Sequence, residues 1–131
     1  MMPRLAAMAG VLLLIAITAW WIGDNAPRPT VLVRLPDLSP EATKGQALFQ
    51  QHCSPCHGPK AGGTDQGPPL VHPVYHPNHH ADGAFALAIT QGVTAHHWPF
   101  GDMPPVAGVT LAQVPMLAAF VRELQKANGI Y

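Results

Sequence analysis

Cys53, Cys56 and His57 place two thiols and an imidazole within five residues, in the order Cys-Ser-Pro-Cys-His. Thiols about one helical turn apart suit two thioether bonds to the vinyl groups of a haem. The imidazole that follows then sits under the iron as its proximal ligand. The same residues have other chemistries. A structural zinc site needs four good ligands, usually with a second pair at matching spacing, and the chain has only these two cysteines. A redox dithiol of this spacing belongs to folds that alternate strand and helix, a pattern this chain lacks. Covalent haem attachment is therefore the expected use of the motif.

A second set of residues carries chemistry of a different kind. Eight histidines occur in 131 residues. Besides His52 and His57 there are His72, His76, His79 and His80, then His96 and His97 just before Trp98. Clustered neutral imidazoles bind copper, zinc or nickel. One reading is a second metal site, copper or zinc, drawn from His76, His79, His80, His96 and His97, with Asp82 orienting one of them. The other is that these histidines decorate a loop and bond to haem propionates or backbone carbonyls. His52 reads as surface, and Trp98 as packing on the haem edge or donating to a propionate.

These groups need a scaffold, and the length allows one domain. Charged residues are 11% of the chain, well below the roughly 25% of an average soluble protein. Seven basic residues balance seven acidic ones, which argues against a nucleic-acid partner and against disorder. Fifteen prolines each remove a backbone donor and fix φ, so a loop-rich fold organised around a cofactor is expected.

The N-terminus follows Arg4 with an uncharged run from Leu5 to Ile22, ending in the pair Trp20-Trp21. Its 18 residues reach the lower bound for a spanning helix. The placement of Arg4 predicts an inside N-terminus, with the remainder outside. Residues 1–24 are thus expected to be a signal or single-pass membrane anchor, uncleaved or cleaved. Residues 25–40 carry Pro27, Pro29, Pro36 and Pro40 and read as an extended linker, with Val31–Leu35 as one candidate edge strand. Residues 41–53 have helical apolar spacing at Ala42, Ala47, Leu48 and Phe49. Residues 82–92 read as a short helix with Asp82 as N-cap and Gly92 as terminator. Residues 110–127 read as a final helix with a Thr110/Gln113 capping box and an apolar stripe of Leu117, Phe120, Val121 and Leu124.

With these segments in place, residues 41–131 resemble a small monohaem class I cytochrome c. The resemblance rests on Cys53-Ser-Pro-Cys-His57, on Gly67-Pro68-Pro69-Leu70, on Ile89 with Gly92, and on Gly101-Asp102-Met103-Pro104-Pro105. It implies an all-α, loop-rich haem domain, preceded here by the transmembrane helix. It implies that Gly45 and Phe49 of the first helix meet Phe120 of the last. A proline carbonyl, of Pro68 or Pro69, would accept from the proximal imidazole. Met103, 46 residues after His57, would be the distal ligand, with Met116 as the weaker rival. The extra histidines depart from the family pattern, and His96 or His97 displacing Met103 is a third reading of them.

The expected function is one-electron transfer through a single haem c with His57/Met103 ligation, on the outer face of a bacterial-type cytoplasmic membrane, in a respiratory chain. Residues 5–22 would meet the membrane, and the haem domain would lie in the periplasm. Partners would be redox proteins, a reductase and an oxidase, met at an apolar rim without strong electrostatic steering. The alternative is a haem protein whose histidines bind copper or zinc for metal handling or oxidation. A haem enzyme would need an open distal site. A carrier with both axial positions filled is not an enzyme.

Overall fold

The computed structural model describes residues 2–24 and 30–131; in the first helix it describes the side chains of residue 8 and residues 10–21. Five α-helices follow one another among the described residues: α1 (Met2–Asp24), α2 (Pro40–His52), α3 (Ser54–His57), α4 (Gly83–Gln91) and α5 (Val114–Ala127). Short 3-10 turns lie at Pro73–Tyr75 and Leu111–Gln113.

The packing is set by α2 crossing α5. Ser39 caps α2 by accepting from the Ala42 amide at 3.1 Å, and Pro40 opens the helix where its missing N–H costs nothing. At the crossing, a Cβ built on Gly45 would lie 1.8 Å from the Met116 carbonyl oxygen. Only glycine lets the two backbones approach this closely. Phe49 and Phe120 meet beside it with ring centroids 5.2 Å apart and are almost fully buried. Leu117, Val121 and Leu124 extend the same core, which Ile89 of α4 joins.

Several local expectations meet differences. The Thr110 amide does donate to the Gln113 side chain, at 2.8 Å. The final helix nevertheless begins as a 3-10 turn and becomes α-helical only at Val114. Gly92 ends α4 at φ +78, but Asp82 makes no side-chain cap bond there. Its carboxylate pairs instead with Arg122 of α5 at 2.8 Å. Residues 30–39 form no strand. They lie along the domain, with Val31, Val33 and Leu38 packed on the core and the Val31 amide donating to Gly62 O at 2.8 Å. Arg34 reaches the end of α5, donating to Ala127 O at 2.7 Å. Pro27 and Pro29 of the expected linker lie outside the described residues.

The transmembrane helix expected over residues 5–22 is corrected. No helix among the described residues is long and apolar enough to cross a membrane. In α1 the continuous stretch with described side chains is residues 10–21, all exposed.

Candidate functional site

Between α2–α3, α4, α5 and the loop after α4 lies a cavity of about 540 Å³. That is the size and largely apolar character of a cofactor pocket. Cys53, His57, Pro68, Trp98 and Met103 all line it, so residues spread over 51 positions of sequence come to one place. Pro69 is fully buried beside them. Met116 is not among the lining residues, and its carbonyl is committed to the α2/α5 crossing.

One wall is built by α3 and the loop after it. The α3 turn ends on Gly58 at φ +76, where the chain reverses, and the Gly63 amide donates to His57 O at 2.8 Å. His57 is 8% exposed. Its Nδ1 lies 2.8 Å from Pro68 O. A carbonyl only accepts, so Nδ1 carries the proton and Nε2 keeps its lone pair for a metal. The choice between Pro68 and Pro69 is thereby made by geometry. Burial pushes the His57 pKa down, opposed by the Pro68 carbonyl, so the neutral, ligating form is favoured. Cys53 and Cys56 are free thiols. Burial, helped by neighbouring Cys56, pushes Cys53 up to about 11. A redox dithiol needs the opposite shift, so the environment disfavours that reading.

The facing wall is the segment after α4. Val93 and Met103 exchange two backbone hydrogen bonds, each 2.9 Å, which closes residues 94–102 into a loop. Gly92 permits the closure, since a Cβ there would lie 2.4 Å from Met103 O. Inside the loop, Asp102 accepts from the Ala95 amide at 2.8 Å.

The histidines gather at the mouth. His80, His96 and His97 line the cavity. A ring nitrogen from each of His79, His80 and His97 lies within 4.8 Å of the others. His76 and His96, expected among the candidate ligands, fall outside that group. The Trp98 indole N–H donates to the Tyr75 hydroxyl at 3.0 Å, so the expected propionate donor is already engaged. Burial, with the neighbouring imidazoles and Arg122, lowers the His80 pKa, while the Val74 carbonyl opposes it.

Two residues of the site escaped the sequence reading. Gln125 is 1% exposed, lines the cavity and donates to Leu70 O at 2.8 Å and Tyr75 O at 3.2 Å. Arg122 holds the turn over residues 75–82, donating to Tyr75 O at 2.8 Å, to His80 O and to the Asp82 carboxylate. Its guanidinium lies 5.1 Å from the centre of the Phe85 ring. The available signal was a Gln and an Arg breaking the buried stripe of α5 three residues apart.

A protein-family model described as Cytochrome c matches residues 42–125. No curated protein and no solved structure matches the chain.

Proposed function

This chain belongs to the cytochrome c family, with the covalent haem c and haem-based electron transfer that membership implies, and on that premise we propose that it carries single electrons through one haem held between His57 and Met103. When bound, the haem supplies a one-electron iron couple. The residues present fit it: the free thiol of Cys53 and an imidazole with an unprotonated Nε2 open onto one large apolar cavity, and the free, exposed thiol of Cys56 stands on the same short helix, α3, as His57. Met103 lines the same cavity from the facing wall.

The observation that carries the reading is the His57 Nδ1–Pro68 O bond of 2.8 Å. It fixes the tautomer, aims the ring and raises its basicity as a ligand. Met103 is held by its paired bonds to Val93, and Pro104 and Pro105 stiffen the chain that follows. A loop held this way keeps its shape in both oxidation states. Thioether ligation favours the reduced iron relative to a second imidazole and raises the potential. With His57 and Met103 both holding the iron, no position would be left for a substrate, as a carrier requires. We place the haem domain outside the cytoplasmic membrane, where such haems are attached. Its partners are redox proteins, a reductase and an oxidase, meeting the apolar rim around Leu87, which is 57% exposed.

Replacement of Met103 by Ala tests this. The far-red thioether band of the ferric protein is expected to vanish, the potential to fall, and the ferrous protein to bind carbon monoxide. A wild-type protein that is already high-spin and binds carbon monoxide overturns the reading. So does a Met103→Ala spectrum identical to wild type.

A further inference from the structure

We propose that His79, His80 and His97 form a second metal site, distinct from the haem iron, for one borderline transition-metal ion of tetrahedral preference, with Zn²⁺ as the type. Their ligand nitrogens lie within 4.8 Å of one another. The His79 and His97 Nε2 atoms are 3.4 Å apart. Two imidazole nitrogens bound tetrahedrally at about 2.0–2.1 Å stand roughly 3.3–3.4 Å from each other. Square-planar neighbours at similar bond lengths would be closer, about 2.8–3.0 Å, so the spacing favours the tetrahedral ion.

The third imidazole is prepared for the same task. His80 Nδ1 lies 2.9 Å from Val74 O, so Nδ1 carries the proton and Nε2 is left with its lone pair. A histidine whose other nitrogen donates to a backbone carbonyl is the usual arrangement around a bound metal. The backbone is held as well, because Arg122 donates to His80 O. The Tyr75 ring packs against His80 and His97, with centroids 5.0 and 6.4 Å away, and Trp98 holds its hydroxyl. His72 shows the contrast: its Nδ1 accepts from the Val74 amide at 3.2 Å, which puts the neutral ring's proton on Nε2.

The three histidines come from two segments, the turn at residues 76–80 and the loop at residues 94–102. A cation there would tie both together across the cavity mouth. With His79 and His97 exposed, the fourth coordination position opens to solvent, for a water or a donor brought by another molecule.

The test is zinc stoichiometry of the full-length haem-loaded protein at micromolar free zinc, after removal of excess. Wild type and His52→Gln are expected to hold one zinc per chain. The double variant His79→Gln/His97→Gln is expected to hold none, with its haem spectrum unchanged. The single variant His79→Gln, at an exposed position, gives the same readout should the double variant not fold. The site is overturned by wild type without zinc, or by variants that keep it. It is also overturned by a haem spectrum altered in His97→Gln, which would make that residue an iron ligand. Only that last outcome bears on Met103, which His97 would then displace; the zinc counts leave the carrier reading to stand or fall separately.

Discussion

The two walls of the cavity hold their key side chains by different means. On the Cys-His wall, His57 is buried, its ring is bound to Pro68 and its backbone to Gly63. Ala61, fully buried, accepts from both Leu70 and Val71 at the heart of that loop. Behind it stands the α2/α5 crossing. On the methionine wall, residues 94–97 are exposed, and the loop rests on the Val93–Met103 pair and the Asp102 carboxylate. Burial makes the first wall part of the fold. The second is a surface loop whose shape rests on a few short bonds, so its side chains can vary without unfolding the domain. The histidine cluster lies on that permissive side.

The largest effect should come from striking the first wall from behind. Phe120→Ala removes a ring that fills the crossing and is expected to cost about 3–5 kcal/mol, read as a lower denaturant midpoint of the haem-loaded protein. A cost near that of an ordinary surface change would mean that the haem contacts, and not the crossing, hold this wall. Next comes the joint between the walls. Arg122→Met keeps most of the apolar stem but removes the donors to Tyr75 O, His80 O and Asp82. About 2 kcal/mol is expected, from the loss of charged hydrogen bonds to partly buried acceptors. Zinc occupancy should fall with it, because the His80 backbone loses its anchor. Stability lost without any change in zinc would show that the turn at residues 75–82 keeps its shape unaided.

The same contrast explains what could be read without coordinates. The first wall is written in local patterns: the five-residue Cys-His motif, the glycine that lets two helices cross, the aromatic pair Phe49 and Phe120. Each residue's place follows from its type, so the helices and the position of His57 at the cavity were legible. The choice between Pro68 and Pro69 was not, because neighbouring prolines differ only in where the chain points their carbonyls. The second wall depends on long-range partners. Asp82 has the look of an N-cap, yet a guanidinium 40 residues away competes for its carboxylate and wins. The cluster of histidines was visible, but which three converge depends on how the turn and the loop fold against each other. The apolar N-terminal run suggested a span, but no helix among the described residues is long and apolar enough to cross a membrane. The extended segment at residues 30–39 reads as a spacer because prolines flank it, while alternate apolar residues let it lie on the core.

The smallest effect should come from Asp102→Ala, and it is the sharpest probe of the contrast. Its carboxylate accepts from the Ala95 amide across the loop, at 2.8 Å, and both residues are exposed. Water replaces that acceptor at little cost, so about 0.5–1 kcal/mol is expected. The Val93–Met103 pair lies outside the deleted bond and closes the loop independently. Amide exchange should therefore quicken at Ala95 while the Met103 amide stays protected. The ferric thioether band should also persist, because the sulfur is positioned by the pair and the prolines after it. If protection at Met103 is lost together with Ala95, the loop unfolds as one unit. The paired bonds alone would then be too weak to hold the methionine, and the second wall would owe its shape to a single surface carboxylate.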